Sequence, residues 1–264
     1  MNLPRHDSHV APAEATNQSG MRVAFFGGSF DPPHLGHLAV ARAARAAFAL
    51  DKVLFAPVGM QPLKKEGSAA SFEDRLAMTR LAIAGEPGFE VSLLDAPKLS
   101  DAPNPGADRN SEPNYTIETL KRLRSALPQG TTLFCLMGAD AFFGLRQWYR
   151  AAEIPFVAQL IVASRPGQPL EKVKEALPEK LTLETTPDVD KNDSGVTVRA
   201  FVVINESGNR APFYVLPGLD VAISASDIRR GIRAQFQAAR DGATQPLVAA
   251  SVRDYIEQHK LYRA

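Results

Sequence analysis

Five short apolar runs, "RVAFF", "KVLFAPV", "FEVSLL", "TLFCLM" and "AQLIVAS", recur between residues 22 and 164. They are rich in Val, Ile, Leu and Phe, and most lack polar alternation, which fits strands buried on both faces. Four stretches at helical spacing separate them: "GHLAVARAARAAFAL", "SFEDRLAMTRLAIAG", "YTIETLKRLRSAL" and "ADAFFGLRQW". In the third, Ile117, Leu120, Leu123 and Leu127 fall on one apolar stripe. Strands and helices taking turns predict an α/β fold: a Rossmann-like, doubly wound parallel sheet with helices on both faces and ligands bound beyond the carboxyl ends of the strands. Two more helical patterns, "SASDIRRGIRAQFQAAR" and "LVAASVRDYIEQHKLY", predict a C-terminal helical segment.

Residues 1–20 are small and polar without apolar periodicity and read as a disordered N-terminal extension. Residues 21–264 read as a single domain carrying polar insertions near 96–114 and 178–211. The first insertion is rich in Pro, Asn, Asp and Gly, a surface-loop composition. Within the second, "VTVRAFVVI" and "PFYVL" flank "NESGNRA" as the two arms of a hairpin would.

Composition narrows the ligand. Of 264 residues 45% are hydrophobic, enough for a substantial core, and the formal charge is only +1 with acids and bases well mixed. A phosphate-tracking nucleic-acid binder usually carries a basic excess, so a small charged ligand fits better. The single cysteine, Cys135, excludes an internal disulfide framework and a thiolate-clustered metal site, and reads as a small core residue. No apolar run approaches the ~20 residues of a membrane span, and the first twenty residues lack the apolar centre of a signal peptide. The expectation is a soluble cytoplasmic protein without a membrane partner. Oligomeric state stays open, a homo-oligomer included.

The densest chemistry lies directly after the first run, in "FGGSFDPPHLGH" from Phe26 to His37. Gly27 and Gly28 let the chain turn sharply and let a ligand approach bare backbone. Pro32 and Pro33 stiffen the loop after Asp31, and Gly36 and His37 then open a helix whose N-terminal N–H groups and partial positive charge can seat a phosphate. His34 and His37, three apart, share a face and add donors to the same anion. A tight strand–helix turn with two surface histidines has the same local sequence. Zinc through the two histidines lacks a third ligand nearby and the spacing of a zincin helix. A dinucleotide fingerprint is also absent, since the glycines do not follow G-x-G-x-x-G and no acid ends the second run.

A second motif lies far along the chain at "ISASDIRRGI", Ile223 to Ile232, where Ser224, Ser226 or Asp227 can cap a helix carrying Arg229 and Arg230. Taken together, "GGSFDPPHLGH" and "ISASDIR" resemble the H-x-G-H and I-S-S-T-x-I-R signatures of the nucleotidyltransferase superfamily. The arrangement is most similar to the bacterial nicotinate-nucleotide adenylyltransferases, over about Met21 to Tyr262. "PVGMQPLKK", "FEDRLAMTRLAI", "NYTIETL", "GADAFFGLRQW" and "VRDYIEQHKLY" resemble further segments of that family. Departures are Ala225 and Ser226 in place of the second signature's serine and threonine, the latter keeping the hydroxyl, Asn114 in place of serine, and Leu63 where the family has histidine.

The resemblance implies adenylyl transfer from ATP to nicotinate mononucleotide, with magnesium arriving on ATP and no protein side chains assigned to the metal. His37 and His34 would then be catalytic. Gly27, Gly28, Ser29, Phe30, Gly36, Ser224, Ser226 and Arg229 would bind ATP. Tyr115, Thr116, Trp148, Asp140, Lys64 and Arg165 would bind the mononucleotide, Trp148 by stacking on the pyridine ring. Positive charge on the histidines is expected near bound phosphates. Rival readings are transfer to nicotinamide mononucleotide or phosphopantetheine, cytidylyl transfer, and a relative of class I aminoacyl-tRNA synthetases. The last lacks its K-M-S-K-S loop and an anticodon-binding domain here.

Overall fold

The computed structural model describes residues 20–63, 67–97, 113–164, 171–191, 196–217, 223–237 and 247–263. Residues 1–19, most of the first insertion, Lys64 and Arg165 lie outside them. The first half of the chain runs β1 (Arg22–Gly28), α1 (Leu35–Phe48), β2 (Lys52–Pro57), α2 (Phe72–Ile83), β3 (Phe89–Val91), α3 (Thr116–Ala126) and β4 (Thr132–Gly138). There follow α4 (Ala139–Phe143), α5 (Ile154–Val157), β5 (Gln159–Ala163), α6 (Glu171–Ala176), β6 (Leu181–Lys191), β7 (Thr197–Asn205) and β8 (Arg210–Leu216). Helices α7 (Ala225–Gln237) and α8 (Ala250–Gln258) end the series.

Eight strands form one sheet in the order β3-β2-β1-β4-β5-β8-β7-β6, parallel from β3 to β8 and antiparallel across β8-β7-β6. The chain winds outward from β1 to β3, then returns to place β4 on the other side of β1. The crevice between the ends of β1 and β4 is therefore the point where the winding reverses, the usual ligand seat of such sheets.

Burial explains the runs without polar alternation. In β4, Leu133, Cys135 and Met137 join one core cluster while Phe134 and Leu136 join another, so both faces of the strand are covered. Ile117, Leu120 and Leu123 of α3 pack in the first cluster, and Leu38, Ala41, Ala44 and Phe48 of α1 in the second. Each fully buried leucine contributes about 1.5–3 kcal/mol of apolar transfer. A third cluster joins Met78 of α2, Ile228 of α7 and Val252 and Ile256 of α8 beside the site.

Three elements depart from the sequence reading. The polar second insertion contains β6, an edge strand of eleven residues whose register shifts between Thr185 and Val189. Pro187 lies in that interval, where an edge strand tolerates the missing donor. "FEVSLL" yields only Phe89–Val91 as strand, because β3 has a neighbour on one side alone before the chain turns at Leu94. "ADAFFGLRQW" is helical only to Phe143, beyond which Gly144 leads into a single tight turn at Leu145–Gln147. The hairpin expected around "NESGNRA" is present as β7 and β8.

Candidate active site

β1 carries Gly27 and Gly28 to the crevice. A Cβ on Gly27 would stand 2.8 Å from Phe25 Cε1, so the bare backbone is what lets the chain pass here. Phe30 then takes a left-handed conformation (φ 47°) that buries its ring against Phe26, Phe55 and His37. Arginines from two helices hold the turn by its carbonyls. Arg75 of α2 donates from Nη1 to the Ser29 carbonyl at 2.7 Å, and Arg229 of α7 donates from Nη1 to the Asp31 carbonyl at 2.6 Å.

His34 stands just ahead of α1, and His37 lies within its first turn. Their rings stack with centroids 3.7 Å apart, and the His34 N–H donates to His37 Nδ1 at 3.1 Å. A ring that accepts at Nδ1 keeps its proton on Nε2, so His37 enters as a neutral donor. Burial pulls His34 down from 6.5 to about 4. Burial, and then the nearby His34, hold His37 well below 6.5. The protein alone thus keeps both imidazoles neutral at pH 7, so any positive charge there would have to come with a bound anion. His34 Nδ1 is buried and has no hydrogen-bond partner among the described residues.

At the second motif, Ser224 is the capping residue of α7. Its Oγ accepts the Asp227 N–H at 3.1 Å and donates to Asp227 Oδ2 at 2.6 Å. Arg229 Nη2 donates to Ser226 Oγ at 3.2 Å. This pair of contacts aligns a serine hydroxyl and a guanidinium on the side that meets the β1–α1 loop.

Across the crevice, Asn114 sets the start of α3. Its side chain accepts the Met60 N–H at 3.0 Å and donates to the Ala96 carbonyl at 3.2 Å, while its own N–H donates to the Met60 carbonyl at 3.1 Å. Three segments are locked together just before Thr116 opens the helix. The Tyr115 and Tyr149 rings lie 4.6 Å apart, and Trp148 packs half-buried against the first core cluster.

One cavity of about 710 Å³ unites these parts. Gly27, Gly28, Ser29, Phe30, His34, Gly36 and His37 line one side of the sequence-derived set, Ser224, Ser226 and Arg229 a second, and Tyr115, Thr116, Asp140 and Trp148 a third. Lys64 and Arg165 are outside the described residues. Among the described residues no group of three or more His, Cys, Asp or Glu side chains is placed to hold a metal ion. Nor is any described helix long and apolar enough to cross a membrane.

Sequence reasoning missed several supports. Asp31 is buried and accepts the N–H groups of Ala69 (2.7 Å) and Ala70 (3.1 Å) and the Tyr262 hydroxyl (2.8 Å). Arg75 is fully buried; its signal was an arginine in line with the buried Met78, Thr79 and Ala82, at spacings of three, four and seven. Asp95 lines the cavity and accepts from the Thr119 hydroxyl. Cys135 also reaches the cavity wall, but burial and then the charge of Asp95 push its thiol up to about 12, so it stays an inert core group.

A family model described as cytidylyltransferase-like matches residues 25–231. A Solibacter usitatus protein named probable nicotinate-nucleotide adenylyltransferase is 34% identical over 242 residues, covering 92% of this chain and all of the relative. A Thermus thermophilus protein of the same name is 33% identical over 245 residues, covering 92% and 100%. The chain belongs to the nicotinate-nucleotide adenylyltransferases of the cytidylyltransferase-like family. Among solved structures, Plasmodium falciparum nicotinic acid mononucleotide adenylyltransferase complexed with NaAD superposes with a TM-score of 0.61 at 17% identity, covering 92% of this chain and 98% of that one. The same enzyme complexed with APC gives 0.60 at 15% identity. At such identities these two establish the shared fold. In this adenylyltransferase family member, Leu63 stands at the cavity wall with 54% exposure, at the position where the family motif has histidine.

Proposed function

We propose that the chain transfers the adenylyl group of ATP to nicotinate mononucleotide, releasing pyrophosphate and forming the dinucleotide of NAD biosynthesis, in the cytoplasm. The observation that carries this reading is that two anion-seating helix starts, at α1 and α7, open on the same 710 Å³ cavity as the α3 start and Trp148.

A phosphate oxygen of the mononucleotide attacks the α-phosphorus of ATP. The new P–O bond forms as the bond to the bridging α–β oxygen breaks, and pyrophosphate departs with that electron pair. No proton need leave the nucleophile, so the protein works by alignment and by neutralising charge on the phosphoryl oxygens. His37 Nε2–H and His34 meet the α- and β-phosphates. Approaching phosphates raise the His34 pKa, so its positive charge arrives with the substrate it stabilises, while His37, whose Nδ1 accepts the His34 N–H, serves as a neutral Nε2–H donor. The Gly27–Phe30 turn and Gly36 cradle the ATP chain, while Ser224, Ser226 and Arg229 hold its outer phosphates. Magnesium enters as part of the MgATP substrate, held by phosphate oxygens and water.

The mononucleotide lies toward α3. Its carboxylate takes the positive N-terminus of that helix at Thr116, beside Tyr115; its ring stacks on Trp148; Asp140 serves a ribose hydroxyl. Lys64 and Arg165 are assigned to its phosphate. An anionic carboxylate gains more at a helix start than an amide does, which favours nicotinate over nicotinamide.

The test mixes the protein with MgATP and each mononucleotide separately and follows pyrophosphate. Release with nicotinate mononucleotide, and much less with the amide, is expected. Silence with both would discard the reading.

A further inference from the structure

Among the groups around the cavity, the assignments above leave out one buried arrangement. Asp31, inside the β1–α1 loop, is a carboxylate only 3% exposed. Its Oδ2 lies 3.8 Å from Arg229 Nη1, and its Oδ1 accepts the Tyr262 hydroxyl at 2.8 Å. Tyr262 reaches it because the chain beyond α8 turns through two left-handed residues, Lys260 (φ 55°) and Tyr262 itself (φ 62°). The ring packs with Met78 of α2 and Ile228 of α7, 8% exposed. Among the described residues two cations face this carboxylate, Arg229 from α7 and, through its longer-range attraction, Arg75 from α2.

We propose that Tyr262 is a positioning residue for ATP binding, acting through Asp31 on the guanidinium of Arg229. The inference rests on the proposed adenylyl transfer. Arg229 has fixed bonds to the Asp31 carbonyl and to Ser226 Oγ, so its direction depends on where Asp31 stands. Asp31 in turn is fixed by four neighbours, of which the Tyr262 hydroxyl is the one side-chain hydroxyl donor. Burial and the charge of Asp31 keep that hydroxyl protonated, so it remains a donor at all working pH values. Removing it leaves Oδ1 with the Ala70 N–H alone, one donor fewer for a buried charge, and the carboxylate makes up the loss by drawing the Arg229 guanidinium, 3.8 Å from its Oδ2, away from the phosphates.

Tyr262→Phe keeps the ring and its packing. The variant is expected to raise KM for ATP about tenfold, a factor equal to one lost hydrogen bond of ~1.4 kcal/mol, with KM for the mononucleotide within about twofold. In an Arg229→Ala background the same change should leave KM for ATP unmoved, because the route it acts through is gone. Equal rises in both KM values, or an undiminished effect in the Arg229→Ala background, would overturn the proposal. Should Tyr262→Phe lose its cooperative melting transition, a fluorotyrosine placed at 262 keeps the shape and sharpens the donor; KM for ATP must then fall, and no change counts against the proposal. A wild-type protein that releases no pyrophosphate would instead refute the adenylyl-transfer reading.

Discussion

The His34 N–H donates to His37 Nδ1 at 3.1 Å while the two rings stack at 3.7 Å. The backbone of one histidine thereby fixes the tautomer of the other. It directs the His37 proton to Nε2 and makes two like cations in contact unfavourable until an anion joins them.

His37→Ala should therefore act on the chemical step. Loss of one donor that meets developing charge is expected to lower kcat by about a hundredfold or more, as for other such donors. The melting temperature should stay within a few degrees, because the ring is only half-buried and lines a cavity. Steady-state kinetics with a melting curve separates the two. Wild-type kcat in the variant would assign His37 a structural role.

Stability should weaken on acidification. Unfolded, an imidazole takes its proton near 6.5; folded, His34 does so only near 4. Between these values the unfolded chain holds the extra proton, so stability is complete above pH 6.5 and falls as pH drops toward 4. The part due to His34 is about 3 kcal/mol, and His37, also depressed, adds in the same direction. Urea unfolding of the ligand-free protein at pH 7.5, 5.5 and 4.5 checks it, and His34→Asn should flatten the profile.

Arg75→Met should cost stability rather than remove a substrate contact. It removes the Arg75 bond to the Ser29 carbonyl and takes away a cation that faces buried Asp31. A loss of about 2–4 kcal/mol is expected, read from the urea midpoint. KM for ATP should rise as well, since the lost bond braces the loop assigned to ATP.

Selectivity depends on α3. With nicotinamide mononucleotide in place of nicotinate, kcat/KM should drop at least about tenfold, the worth of a charge at a helix start plus a charge-assisted bond. Equal values would mean the carboxylate is not read at Thr116. Asn114→Ala, which unties Met60 and Ala96 from that helix start, should raise KM for the mononucleotide and leave KM for ATP alone.

Much of this was legible in the chain. β1, β2, β4 and β5 are continuous apolar runs because both of their faces are buried, and such runs read clearly. β6 was hidden because an edge strand can be polar and even hold Pro187. The loop and capping residues lining the cavity carried a local signature: glycines, two histidines one helical turn apart, and a serine ahead of a helix. Asp31, Asn114 and Tyr262 lay inside legible motifs and Arg75 on the apolar line of α2, but their partners were not legible, since their function is to join segments as much as 231 positions apart. Only folding reveals which partner a buried polar group has found.

The most direct measurement supplies the protein with MgATP and nicotinate mononucleotide and quantifies pyrophosphate and the dinucleotide together. Equal amounts of both, with none when the mononucleotide is omitted, are expected. Pyrophosphate without dinucleotide, or neither product, would contradict adenylyl transfer at this cavity.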